Sequence, residues 1–107
     1  MSERSLARFR RLYAFEAHLE VRERELAEQV RALEEHLASA KQRAGRTPPN
    51  GFTPDDIERR AQAAMRLGLV TARLIRVRHR RARARAALRA RIRDERRRLA
   101  DERIGPR

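Results

Sequence analysis

Apolar side chains recur every seventh residue in the first part of the chain. One series contains Leu12, Leu19, Leu26, Leu33 and Ala40, and a second series three residues earlier contains Phe9, Glu16, Glu23, Val30 and Leu37. Alternating three- and four-residue steps are typical of a helix that packs lengthwise against another helix. Strong helix formers dominate here, and no Gly or Pro occurs before Gly45. The pattern therefore predicts one helix over 5–43.

A second heptad pattern follows a loop at residues 44–53. Its apolar positions, broken once at Arg81, are Ala63, Leu67, Val70, Leu74, Val77, Ala84 and Leu88. Thr53-Pro54-Asp55-Asp56 marks the start of this helix, with Thr53 as the N-cap, Pro54 at the first position and two carboxylates in the first turn. Gly45 is suited to end the first helix and Gly105-Pro106 to end the second. We predict the second helix over 54–103.

Two long helices joined by a short loop predict an all-α fold, an antiparallel coiled-coil hairpin that forms a single domain over 1–107. If residue 43 lies opposite residue 54, the numbers of facing residues sum to about 97, which places Phe9 opposite Leu88 and Glu16 opposite Arg81. The second helix then overhangs the first by roughly two to three turns. In the overhang, Leu88, Ile92 and Leu99 fit an 11-residue step better than a heptad.

Charge distribution separates the two predicted helices. The formal net charge is +13, and the stretch from Arg59 to Arg93 contains 13 arginines and no acidic residue. Residues 1–43 carry nine basic and eight acidic side chains and are nearly neutral. Arginine outnumbers lysine 27 to 1, a ratio typical of coding bias in a GC-rich genome, so the count alone does not show that the arginines are functional. A basic stretch of this kind favours an acidic protein partner or a nucleic acid.

Enzyme chemistry finds little support in these residues. The three histidines are isolated, cysteine is absent, and no glycine-rich phosphate loop occurs. The sequence therefore offers no metal-ligand set and no cofactor motif, and we expect a protein that is not an enzyme and binds no cofactor. No apolar run approaches the ~20 residues of a membrane span, and the N-terminus lacks the apolar region of a signal peptide. A cytoplasmic protein is the resulting expectation.

Two groups of apolar residues exceed what a two-helix seam needs. Phe9, Leu12, Tyr13 and Phe15 surround the start of the first helix, and Met65, Leu69 and Ile75 lie off the seam of the second. The surplus indicates either self-association or a protein partner, or else residues that widen the hairpin core. The pattern does not separate these alternatives.

The layout resembles the flagellar FliJ and type III secretion stalk family. The matching features are Ser5-Leu6-Ala7-Arg8 followed by Phe9-Arg10-Arg11-Leu12 and Glu16, a turn at Pro49-Asn50-Gly51-Phe52, and a longer basic second helix. The resemblance covers nearly the whole chain. It implies a coiled-coil stalk or adaptor of a flagellar or type III protein export apparatus. The open end of such a hairpin would insert into the export ATPase ring, and its middle and tip would contact the export gate or export chaperones.

On this interpretation the protein is cytoplasmic and peripheral to a membrane-embedded export complex. The partner-binding residues would be Phe9, Leu12, Tyr13, Phe15, Arg78, Arg81, Arg85 and Arg89, with Glu16 and Arg81 as a charged pair in the seam. The alternative is an arginine-rich hairpin that binds nucleic acid largely without sequence specificity.

Overall fold

The computed structural model describes residues 2–44 and 53–104. Helix α1 spans Glu3–Ala44 and helix α2 spans Pro54–Ile104. The two helices pair as a helical hairpin, and the described residues contain no strand, which confirms the all-α fold class. Helix α1 begins two residues before the predicted start. Of the predicted loop at 44–53, Ala44 belongs to α1 and residues 45–52 lie outside the described residues, as does the predicted helix end at Gly105-Pro106.

Side-chain hydrogen bonds cap both helices at their N-termini. The backbone N–H of Asp56 donates to Thr53 Oγ1 at 3.2 Å, and Asp56 Oδ2 accepts from the backbone N–H of Thr53 at 3.3 Å. This reciprocal capping box satisfies two backbone donors at the start of α2, and the predicted cap is confirmed. Helix α1 is capped by Ser2, whose Oγ accepts the Ser5 N–H at 3.1 Å. The additional cap explains why α1 starts earlier than the heptads indicate.

Contacts within the hairpin group into two compact units. The first contains Met1–Val21 and Val77–Arg107, and its core is Leu19, Ala84 and Leu88. The second contains Arg22–Arg76, and its core is Leu26, Val70 and Leu74. Leu26 is the most buried large side chain, with 1% of its surface exposed. The prediction of a single domain stays a prediction.

The buried positions follow the heptads. Each predicted seam position of α1, from Phe9 to Ala40, is buried or half-buried, and so is each predicted seam position of α2 from Ala63 to Leu88. In the first unit the helices run antiparallel, because Glu16 contacts Arg81 while Ser5 lines a groove with Arg91. Apolar burial along a thin seam therefore organises each unit.

The predicted change of period after Leu88 is wrong. The heptad continues through Arg91 and Glu95, which are half-buried, whereas Ile92 and Leu99 are exposed. The continuation has a physical reason: α1 begins at Glu3, so Ser5 still lies beside this part of α2 and keeps its seam in phase. The aliphatic stem of arginine can line such a seam while its guanidinium reaches water.

Candidate partner-docking surface

A group of charged side chains interrupts the apolar seam of the first unit. Arg81 Nε donates to Glu16 Oε1 at 2.9 Å, and Arg85 Nε lies 3.3 Å from the same oxygen. Arg81 also reaches Glu20 Oε2 at 3.8 Å. The structure thus brings Glu16 and Arg81 together, and it adds Glu20 and Arg85 to the predicted pair. Only 13% of the Glu16 side chain and 17% of the Arg81 side chain are exposed.

The residue numbers of these contacts define the local register. Contacting residues sum to 97 for Glu16 with Arg81 and to 101 for the other two pairs. One carboxylate therefore accepts a hydrogen bond from Arg81 and forms an ion pair with Arg85, one helical turn further along α2. Among the described residues, no buried side-chain nitrogen or oxygen lacks a hydrogen-bond partner. The charges are consequently accommodated within the seam rather than left unsatisfied.

The aromatic residues of α1 divide between the seam and two different sides of the helix. Phe9 and Leu12 are half-buried in the seam. The Tyr13 ring stacks against Phe9, with 6.5 Å between ring centroids and 19° between planes, and 62% of Tyr13 is exposed. Phe15 is also exposed. Residues two apart on an α-helix project about 160° away from each other, so Tyr13 and Phe15 do not share one face.

Tyr13 lies on the same side of the first unit as two exposed arginines. It precedes Glu20 by seven residues, which places both on one side of α1, and Glu20 contacts Arg81 on α2. Because the pairing is antiparallel, moving back along α1 from Glu20 to Tyr13 corresponds to moving forward along α2 from Arg81, past Arg85 one turn on to Arg89 two turns on. The Nε of Arg89 donates to the Arg85 carbonyl oxygen at 3.5 Å. Helix periodicity extends this side to further exposed residues, and we call the set the tyrosine face: Leu6, Tyr13, Arg85, Arg89, Ile92 and Arg96.

Positive charge on the tyrosine face is only partly neutralised. Arg85 shares Glu16 with Arg81, whereas Arg89 and Arg96 form no ion pair with any residue that the structure describes. Arg78, also proposed from the sequence, is exposed and has an interaction partner within the chain. A shallow open depression on α2 adjoins this face and is lined by Arg89, Ile92, Arg93, Arg96, Arg97 and Ala100. We predicted from the sequence that Ile92 lies in the seam. Two signals would have marked it as a surface residue: its neighbours are arginines, and it lies one position after the heptad position at Arg91.

Near its C-terminus, α2 carries an internal ion-pair cluster. Arg98 contacts Glu95 and, at 3.1 Å, Glu102. The hydrogen bond from Arg98 holds the pKa of Glu95 below its usual value, and the carboxylate in turn raises the pKa of Arg98. These contacts join residues three and four apart and stabilise the helix end locally.

Within the described residues, no group of three His, Cys, Asp or Glu side chains is placed to hold a metal ion. Over residues 2–44 and 53–104, neither helix contains an apolar segment long enough to cross a membrane. The described residues thus form a two-helix hairpin with a surface that combines aromatic and arginine side chains.

No protein-family model, curated protein or solved structure matches the chain.

Proposed function

We propose that the protein is a coiled-coil adaptor or stalk that docks on a protein partner through the tyrosine face. One observation carries the proposal. Tyr13 is largely exposed on the same side as Arg89 and Arg96, which form no ion pair with the described residues, and as Arg85, which shares Glu16 with Arg81. Aromatic and arginine side chains are the residue types most enriched at the energetic centres of protein interfaces. Exposed Leu6 and Ile92 add apolar area, so a complementary partner would present apolar side chains ringed by carboxylates.

Exposure also bears on the apolar residues that exceed what a two-helix seam needs. Tyr13, Phe15, Met65, Leu69 and Ile75 are all exposed, so they do not widen the hairpin core. Of the alternatives that the sequence left open, association with another molecule accounts for them better. This argument concerns the type of partner, and the resemblance to the FliJ and type III secretion stalk family supplies its proposed identity. The partner would be an export ATPase ring or export gate, with the hairpin peripheral to the membrane-embedded apparatus.

Binding to nucleic acid is the second candidate function, favoured by the arginines exposed along α2. Arg80, Arg83 and Arg89 form no ion pair with the described residues and could release counterions from a phosphate backbone. Against this function, α2 carries no Phe, Tyr or Trp on which bases could stack. We therefore rank protein docking first.

The test is stopped-flow binding of the full chain to the export ATPase encoded in the same genome, at low salt and at about 0.15 M, where screening acts beyond about 8 Å. Arg89→Glu with Arg96→Glu should slow association, and the effect should shrink as salt rises. The control is Arg80→Glu with Arg83→Glu, which changes the net charge equally on other sides of α2. Arg85 is left intact because it also holds Glu16.

The aromatic contribution is tested by a second matched pair. Tyr13→Ala should speed dissociation with little dependence on salt, whereas Phe15→Ala, on another side of α1, should not. If the two charge-reversal pairs slowed association equally, the arginines would act only through the net charge of the protein, and docking through the tyrosine face would be refuted. Failure to bind the ATPase, together with tight and steeply salt-dependent binding to a random DNA duplex, would instead favour the nucleic-acid function.

A further inference from the structure

In the second unit, α2 has an uncharged apolar strip on the side opposite its seam. The exposed residues at helical spacing form what we call the outer stripe: Ala61, Ala64, Met65, Gly68, Leu69 and Ala72. Met65 is 70% exposed and Leu69 is 62% exposed, the former being the most exposed large apolar side chain described. Removing such apolar side chains from water is favourable, so the strip is suited to being covered.

Gly68, at the centre of the outer stripe, is not required by the hairpin itself. A Cβ built at this position meets no atom within 4 Å. Glycine is among the least favourable residues in a helix interior, and alanine would fit here without a clash. A glycine flanked by Ala64 and Ala72 at four-residue steps lets the backbone of another helix approach closely. The arrangement therefore leaves room for a close approach from outside the chain.

One edge of the outer stripe is basic. Arg66 and Arg73 each follow a stripe residue, Met65 and Ala72, and so lie about 100° further around the helix. Both are exposed, and neither forms an ion pair with any described residue. Between Ala61 and Arg73 the opposite edge, at Ala64 and Thr71, is uncharged. Along this length, a ligand that covers the stripe therefore meets positive charge at the edge that carries Arg66 and Arg73.

We infer that the outer stripe is a docking site for an amphipathic helix of another protein, with carboxylates along the edge that faces Arg66 and Arg73. A second copy of this chain fits less well, because antiparallel pairing of two stripes would place the four arginines near one another. A membrane surface also fits less well, since the stripe has four small residues and no aromatic residue. This site belongs to the second unit and is independent of the tyrosine face.

Site-specific photo-crosslinking in cells of the native host tests the inference with the full chain. A photoreactive amino acid replaces Leu69, and the same residue at Val21, which is exposed on α1, is the control. Mass spectrometry then identifies the cross-linked segment. We expect a segment from a different protein with helical apolar spacing and Asp or Glu along one edge. Cross-links to a second copy of this chain or to lipid would overturn the inference, and so would a cross-linking yield at Leu69 no higher than the yield at Val21.

A peptide with the sequence of the cross-linked segment then allows quantitative measurement by fluorescence anisotropy. Arg66→Glu with Arg73→Glu should weaken binding at least about tenfold, and the loss should shrink with added salt. Gly68→Leu should also weaken binding, because the larger side chain blocks the close approach of the partner helix, and this loss should not change with salt concentration. Gly68→Ala should have a smaller effect. All substituted positions are exposed, so circular dichroism should report an unchanged fold. If all three variants bound the peptide as tightly as the natural chain does, the proposed geometry would be contradicted.

Discussion

The charged group in the seam makes an asymmetric prediction about stability. Glu16 lies within ion-pair distance of two arginines, so Glu16→Leu removes the 2.9 Å contact of half-buried Arg81, which Glu20 at 3.8 Å replaces less well, and deprives Arg85 of its carboxylate. Arg81→Leu removes one donor, but Glu16 keeps Arg85 at 3.3 Å. The loss of free energy of unfolding should therefore be larger for Glu16→Leu than for Arg81→Leu.

The magnitudes follow from burial and geometry. Breaking a fully buried ion pair costs about 3–5 kcal/mol, because the remaining charge is left unpaired. Here the two side chains retain 13% and 17% exposure, and the arginine stem lets its head reach water. We expect a loss of about 1–2 kcal/mol for Glu16→Leu and less than about 1 kcal/mol for Arg81→Leu. The double Leu variant extends the apolar seam and should be at least as stable as the natural chain.

Urea denaturation followed by far-ultraviolet circular dichroism measures the four free energies of unfolding. The double-mutant cycle should give a coupling of about 1 kcal/mol or more between Glu16 and Arg81. A coupling below about 0.3 kcal/mol, within the range of additive sites, would refute the reasoning. Equal losses from the two single substitutions would show that Arg85 does not share the carboxylate.

Three further predictions concern local features. Gly68→Ala should raise the free energy of unfolding by about 0.5–1 kcal/mol, since the added methyl group meets no atom and alanine favours the helix, and thermal denaturation would report it. Thr53→Ala should lower it by about 1 kcal/mol, because the Asp56 N–H loses its acceptor, whereas Thr53→Ser should retain the cap. Arg98 lowers the pKa of Glu95, so this carboxylate stabilises the folded state above its unfolded pKa of about 4.3, and the contribution disappears as pH falls through the folded pKa. Glu95→Gln should therefore denature at a lower temperature than the natural chain at pH 7, with the gap closing below about pH 4; a gap that persists in acid would contradict the assignment.

The helices and their seams are determined by the sequence itself. Heptad spacing depends only on the order of apolar residues, and each predicted position from Phe9 to Ala40 and from Ala63 to Leu88 is buried or half-buried. The cap at Thr53 is equally local, because its partner Asp56 lies three residues away. Features that depend on neighbouring residues along the chain can thus be predicted without knowledge of the packing.

Features that depend on the facing helix needed the tertiary structure. Arg91 and Glu95 continue the seam in place of Ile92 because α1 extends far enough to pair with that part of α2, which composition alone does not reveal. Arg85 joins Glu16 only because one antiparallel register brings them within 3.3 Å. Which apolar residues remain exposed is decided in the same way, since a thin two-helix seam covers one side of each helix and leaves Leu69 and Tyr13 at the surface.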